Sequence, residues 1–304
     1  MRETPWGALA VSDAHVHFFS YRFFAALAEQ KKAPVDSLEP VLGWQLPAQD
    51  PEHLATAWVQ ELDRQGVSKA VLIASVPGDQ ESVMAAVRAF PQRFYSYMMV
   101  NPVAPSPAAD VERALLSGHI HGLCFFPAMH RYSIQDDRVA ALLDLLANNP
   151  RTIAFVHCGV LSVGVRKKLG LASPLDMRFS NPIDVHAVAL RYPQVRFVIP
   201  HFGAGYLREA LMLCDLCPNV YLDTSSSNSW MRYEESHLDL RAVFRRALEV
   251  AGPARLFFGT DSSYFPRGWN QEIFEAQTKA LYEIGITEET ARLIFHENLM
   301  RLFS

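Results

Sequence analysis

Short runs of apolar, β-branched and aromatic residues alternate along the chain with longer stretches whose apolar positions recur every three or four residues. The first pattern is that of a buried strand, the second that of a helix packed by one face. Strands are predicted over residues 9–13, 70–74, 94–100, 120–126, 152–157, 196–201, 219–223 and 255–261. Helices are predicted over 52–65, 80–90, 107–117, 136–149, 182–191, 206–216 and 238–250, with two more, 270–284 and 288–303, after the last strand. Such alternation predicts a parallel sheet with crossover helices. Eight strands suit a closed (β/α)8 TIM barrel, a single α/β domain over residues 1–304 with C-terminal helices. A doubly wound open sheet is the alternative. It usually has fewer strands and a glycine-rich first turn, and neither G-x-G-x-x-G nor a P-loop is present. Residues 20–51, rich in aromatics and prolines, are long for a first connection and are predicted to form an active-site insertion loop.

Composition narrows the function classes. Half of the 304 residues are hydrophobic, enough to bury the core of one large domain. A formal charge of −4 and a pI near 6.3 build no basic face, so nucleic acid is not an expected partner. No long apolar run and no basic-then-apolar leader appear, so the expectation is no membrane span and a cytoplasmic location. The four cysteines are too sparse for a disulfide scaffold. Cys214 and Cys217 form a lone C-x-x-C, expected to be buried thiols on a helix.

In a barrel, chemistry gathers at the carboxyl ends of the strands, and titratable residues recur there. Asp13-Ala14-His15-Val16-His17 follows the first strand; His157 closes the fifth, His201 the sixth, Asp223 the seventh and Asp261 the eighth. An H-x-H spacing puts both imidazoles on one side of an extended chain, where they can converge on one ion. With eleven histidines, chance supplies roughly 0.4 such pairs, so the spacing alone decides little. His119-Ile120-His121 illustrates this. That pair precedes the fourth strand and is expected at the opposite, structural end of the barrel. A single strand-end histidine is more often a hydrogen-bonded core residue than a ligand. The arrival of His157, His201 and Asp261 together with Asp13-x-His15-x-His17 reverses that expectation.

In order, D-A-H-V-H at 13–17, V-H-C-G at 156–159, P-H-F-G-A-G at 200–205, G-T-D-S at 259–262 and E-N-L-M-R-L-F at 297–303 span nearly the whole chain. Together they resemble the amidohydrolase-related (amidohydrolase-2) family of metal-dependent TIM-barrel hydrolases, which includes aminocarboxymuconate-semialdehyde decarboxylase relatives and lactone hydrolases. The resemblance implies a distorted barrel with His15, His17, His157 and Asp261 as ligands of one divalent metal. It implies that His201 is a general base or electrostatic partner beside the metal-bound water, or a ligand to a second ion. Asp13 would support the site without binding metal. A homo-oligomer, dimer or tetramer, is implied as well. Two-metal members often carry a modified lysine on the fourth strand that bridges the ions; here G-L-C-F-F-P puts Cys124 in its place. A neutral thiol cannot become a bridging carbamate, so one ion is expected.

Three neutral imidazoles and one carboxylate suit zinc, with manganese or iron as alternatives. Binding lowers the pKa of a water from 15.7 to about 7. Asp261 or His201, the expected catalytic residues, would take the proton as that water attacks an amide, ester or lactone carbonyl. The same parts serve non-oxidative decarboxylation of an unsaturated or aromatic carboxylate. A non-catalytic metal-binding scaffold is a third reading, against which the retention of both His201 and Asp261 argues. Candidate contacts to a small-molecule, acidic substrate are Phe18, Phe19, Trp44, Phe126, Met129, His130, Arg131, Arg166, Arg178, Trp230, Arg232 and Tyr264. Aromatic walls with an arginine suit an unsaturated carboxylate.

Overall fold

The computed structural model describes residues 1–226, 228–234 and 238–304. A short antiparallel hairpin, β1 (Arg2–Thr4) and β2 (Gly7–Leu9), precedes the main sheet. Eight strands follow: β3 (Ser12–Phe18), β4 (Lys69–Ala74), β5 (Phe94–Val100), β6 (Gly122–Phe125), β7 (Ile153–Val156), β8 (Arg196–Ile199), β9 (Val220–Asp223) and β10 (Leu256–Phe257). Each pairs in parallel with its neighbour in sequence order, and helices lie between them. This is the (β/α)8 arrangement that the alternating pattern predicts.

Strand alternation divides the core into two shells. Val71, Ile73, Tyr97, Met99, Cys124, Ile153, Phe155, Val198 and Phe257 pack together in one cluster, the barrel interior. Their neighbours Ala70, Leu72, Met98, Leu123, Ala154, Phe197 and Leu222 belong to another, against the helices. Successive residues of a strand face opposite sides, so one continuous apolar run fills both shells. Leu299, Leu302 and Phe303 from the C-terminal helix join the interior cluster. The ring of Phe303 stands 4.3 Å from Tyr95 and 5.5 Å from His121. His121 therefore lies at the plugged end, where its Nδ1 accepts from Ser96 N–H at 3.2 Å. The H-x-H of residues 119–121 is structural.

Closure places the first and last strands where the ligand motifs sit. Because β10 has two residues, the seam is made beyond it. Ala14 N–H donates to Phe258 O at 2.8 Å, Asp261 N–H to His15 O at 3.0 Å, and His17 N–H to Ser262 O at 2.7 Å. The bonds that close the barrel thus also join His15 and His17 to Asp261.

Two strand boundaries need correction. The strand predicted at 9–13 runs instead over Ser12–Phe18, with its register shifting between Asp13 and Val16. Polar residues appeared to end the strand, but they lie inside it because neighbouring backbone and side chains satisfy them. The strand predicted at 255–261 ends at Phe257, and Asp261 has a left-handed φ of 59°. The last predicted helix is three segments, with a wide turn at Leu293–Glu297 between helices Glu288–Arg292 and Asn298–Phe303.

Residues 20–51 form helices Tyr21–Lys31 and Leu38–Leu42. Phe23, Phe24, Leu27, Leu38, Leu42 and Trp44 make a small core with Val165 and Leu169 from the loop after β7. Ser20 caps the first helix by accepting from Phe23 N–H at 3.2 Å. Lys31 Nζ donates to Leu169 O at 2.8 Å, and Gln45 N–H donates to Phe265 O at 2.9 Å. All four cysteines are buried and unpaired. No described helix is long and apolar enough to cross a membrane.

Candidate metal centre

His15 and His17, two apart on β3, turn their rings toward Asp261 across the seam. Their Nε2 atoms are 3.4 Å apart. Asp261 Oδ1 lies 3.6 Å from the first and 3.2 Å from the second. Each ring is fixed from behind. His15 Nδ1 is 2.6 Å from Asp223 Oδ2, and His17 Nδ1 is 2.7 Å from Ser75 Oγ. The Ser75 hydroxyl donates to Ile73 O at 3.1 Å, so it accepts from the His17 ring. With Nδ1–H committed on both rings, each Nε2 presents a lone pair. Two lone pairs and a carboxylate oxygen then face one another.

This donor set fits a divalent ion. Tetrahedral ligands at about 2.0–2.1 Å from zinc lie roughly 3.4 Å from one another. The observed triangle has edges of 3.2, 3.4 and 3.6 Å. Burial opposes charge on both His15 and Asp223, yet their attraction prevails. It holds Asp223 below the usual carboxylate range and raises His15, helped by Asp261. The surroundings of His15 favour positive charge, whether a proton or a metal ion supplies it.

Asp13 stands behind the trio. Its Oδ1 accepts from His15 N–H at 2.9 Å and Thr260 N–H at 3.1 Å. Its Oδ2 accepts from the Thr260 hydroxyl and from Trp269 Nε1–H, the latter at 2.7 Å. Burial raises its carboxyl to about 6 despite these donors. Gly259 permits the approach of the strands here: a Cβ would come within 2.8 Å of Asp223 Oδ1 and 3.0 Å of His15 Cβ.

His157 lies outside the convergent group of His15, His17 and Asp261. Its ring stacks on Phe126 at 5.3 Å and stands 5.4 Å from His201. Its Nδ1 is buried and without a hydrogen-bond partner, an orphan nitrogen beside the trio. Burial, with His201 and His15 nearby, pushes its pKa well below the ordinary value. His201 lies two residues past the end of β8, in a left-handed turn with φ 58°, followed by Phe202 at 53°. Its Nδ1 is 2.9 Å from Ser225 Oγ and 3.2 Å from Ser225 O. Burial lowers its pKa, against the opposing pull of Asp261 and Asp223. Ser225 Oγ also lies 3.0 Å from His15 Nδ1, linking the two histidines.

The trio, His157 and His201 line a cavity of about 630 Å³. Phe126, Trp230, Arg232 and Tyr264 line it, as do Phe19, Trp44 and Met129. Five predicted contacts lie elsewhere. Phe18 is fully buried on the opposite side of β3 from His17, between sheet and helices. Arg131 donates to Pro174 O at 2.9 Å, and Arg166 donates to Gln30 Oε1 at 2.6 Å. Arg178 pairs with Asp176 at 2.6 Å. Loop guanidiniums find local carbonyls and carboxylates, which composition does not reveal. His130, a broader candidate, is not in the lining, and its Nδ1 is buried. Sequence reasoning missed Ser75, Ser225, Lys168 and Arg267. Ser75 could have been found, because it directly follows β4 and is polar at a strand end.

The amidohydrolase family model matches residues 12–304. Protein fluG of Emericella nidulans is 29% identical over 140 residues, which cover 42% of this chain and 16% of that one. The match thus spans about one sixth of that relative's length. A solved 5-carboxyvanillate decarboxylase from Novosphingobium aromaticivorans, with bound manganese, superposes with a TM-score of 0.64 at 14% identity, covering 100% of this chain and 99% of that one. A probable 2-pyrone-4,6-dicarboxylic acid hydrolase from Acinetobacter baumannii does so with 0.62 at 14% identity, over 97% and 99%. These two likenesses show a shared barrel fold. The family match runs from the first barrel strand to the last residue and takes in every motif that carries a ligand candidate: the chain belongs to the amidohydrolase family.

Proposed function

We propose that this protein is a metal-dependent hydrolase that attacks the amide, ester or lactone carbonyl of a small substrate. One divalent ion would be held by His15, His17, His157 and Asp261. The observation that carries this reading is the triangle of two Nε2 lone pairs and one carboxylate oxygen, with both rings anchored through Nδ1. Zinc suits three imidazoles and a carboxylate, and manganese fits the same donors. When bound, the ion supplies Lewis acidity that acidifies a water and polarises a carbonyl.

The chain's own residues do the remaining work. The Nδ1 of His201 faces the hydroxyl and carbonyl of Ser225, which would leave Nε2 to take a proton. Asp223, Ser75 and Asp13 hold the trio in place. Phe19, Phe126, Trp44, Trp230 and Tyr264 wall the cavity and limit the water around the reacting carbonyl.

Decarboxylation is the second reading. The Trp44 and Tyr264 rings stack at 4.1 Å and 12°, and Phe19 stacks on Trp44 at 5.9 Å. Such a wall suits a flat aryl carboxylate. The test offers metal-loaded protein a panel of lactones, esters and aryl carboxylates, including 2-pyrone-4,6-dicarboxylate and 5-carboxyvanillate. Acid release without carbon dioxide supports hydrolysis. Carbon dioxide release supports the second reading. No turnover across the panel with metal bound contradicts both and leaves a non-catalytic scaffold.

A further inference from the structure

The helix Gln271–Glu283 buries Phe274, Gln277, Thr278, Ala280 and Leu281. Spacings of three and four residues place them on one face, and Phe274, Ala280 and Leu281 join the core between sheet and helices. Gln277 stands in the middle of that face, fully buried. Burying an amide costs free energy unless its donors and acceptor find partners, so an apolar residue is the ordinary occupant of such a position.

The partners of this amide are the ends of two barrel strands. Gln277 Nε2 donates to Thr224 O at 2.9 Å and to Gly259 O at 3.0 Å, and Gln277 Oε1 accepts from the Thr224 hydroxyl at 2.6 Å. Carbonyls only accept, so the amide has a single orientation here. Thr224 directly follows β9, and Gly259 lies two residues past β10. These strands pair only at Leu256 with Leu222 and Phe257 with Asp223, with a last rung from Thr224 N–H to Phe257 O at 2.9 Å. Past that rung, among the described residues, no backbone bond joins the two chains, and the Gln277 side chain joins them instead.

The neighbours of the bridged residues carry the site. Asp223, beside Thr224, anchors His15; Asp261, two residues after Gly259, faces both imidazoles. The loop of Asp261 is braced on one flank by the seam to β3, through Asp261 N–H to His15 O at 3.0 Å, and on the other by Gln277. We propose that Gln277 is a positioning residue of the metal centre, whose amide sets the separation between the strand end that anchors His15 and the strand end that carries Asp261. The inference rests on the reading of His15, His17 and Asp261 as metal ligands. Without the amide, the carbonyls of Thr224 and Gly259 lose a buried donor, and the two ends relax apart to find water. The two edges of the triangle that involve Asp261, 3.6 and 3.2 Å, then loosen, while the edge between His15 and His17 stays within β3.

The test reconstitutes the full chain and its variants with cobalt(II), whose visible absorption reports the geometry of its ligands, and measures cobalt affinity and melting temperature alongside. Gln277→Met keeps the length of the side chain and removes all three bonds. Leu281→Ala, at a fully buried position one turn further along the same face, destabilises the helix packing without touching the bridge. Both are expected to melt below the unsubstituted protein. Gln277→Met alone is expected to weaken cobalt binding, by about tenfold, and to change the absorption spectrum. Thr224→Val removes one of the three bonds and is expected to shift affinity and spectrum the same way by less, which keeps the test open if Gln277→Met does not fold; Thr224→Ser keeps the hydroxyl and is expected to match the unsubstituted protein. Cobalt affinity and spectrum unmoved in Thr224→Val and in folded Gln277→Met overturn the positioning role, as does an equal change in Leu281→Ala. Either result, with cobalt bound by the unsubstituted protein, leaves the metal centre standing. An unsubstituted protein that binds no cobalt overturns the metal centre and the positioning role together.

Discussion

His15 Nδ1 and Asp223 Oδ2 are 2.6 Å apart, and each side chain is about 1% exposed. This buried, charge-assisted bond fixes the tautomer and the orientation of a ring whose other nitrogen faces His17 and Asp261. Asp223→Asn keeps the shape and removes the charge. Metal affinity is expected to fall by about 10–100-fold, with the circular dichroism spectrum unchanged. Competition titration against a chelating indicator measures the change. An unaltered affinity contradicts the anchoring role.

Ser75 plays the matching part for His17 with a neutral hydroxyl. Ser75→Ala frees the ring to rotate but leaves no buried charge unpaired. The same titration is expected to show a smaller loss, about tenfold. A loss larger than that of Asp223→Asn contradicts this ordering.

Gly159 has φ +79°, and a Cβ there would overlap the backbone oxygens of Gly203 and Ala204. Its N–H donates to Ser180 O at 2.8 Å, and the next N–H donates to Ala204 O at 2.8 Å. The loop of His157 is thereby tied to the loop of His201. Gly159→Ala must push backbone against backbone, at a cost of about 1–3 kcal/mol. Thermal melting is expected several degrees below that of the unsubstituted protein. Equal melting temperatures contradict the close approach.

Acid sensitivity is expected to come partly from two histidines outside the site. Burial lowers His121 and His130 to about 4 each, and for His121 the neighbouring His119 and Lys69 add to the effect. Between pH 6.5 and 4 the unfolded chain takes up protons that the folded protein refuses. Stability is therefore full above pH 6.5 and is lost as pH falls toward 4, by at most about 3 kcal/mol for each residue. The double variant H121Q/H130F is expected to lose less stability between pH 7 and 4.5, read from urea midpoints. The same loss as in the unsubstituted protein contradicts the assignment.

The alternation of apolar runs revealed the barrel because every strand is buried on both faces, and only a closed sheet wrapped by helices buries eight such strands. The rule that titratable residues mark strand ends brought His15, His17 and Asp261 together, because the sheet converges its carboxyl ends on one rim. It left His157 and His201 close by but outside the trio. Asp223 closed a strand without a role being visible, since nothing local pairs residue 223 with residue 15; the seam between β3 and β10 and the register of β9 do that. The loops were the least legible. Phe18 and Phe19 look alike in composition, but Phe18 is the last residue of β3 and packs into the core, while Phe19, just past the strand, lines the cavity. Arg166 and Lys168, two residues apart, divide in the same way between a local carbonyl and the cavity.

The metal content of the purified protein and three variants, measured by elemental analysis, tests the central claim most directly. The expected result is about one equivalent of divalent ion in the unsubstituted protein, its loss in His15→Ala and in Asp261→Ala, and its retention in His201→Ala. Absence of a stoichiometric ion, or two equivalents of which His201→Ala removes one, contradicts a single-ion centre built on His15, His17 and Asp261.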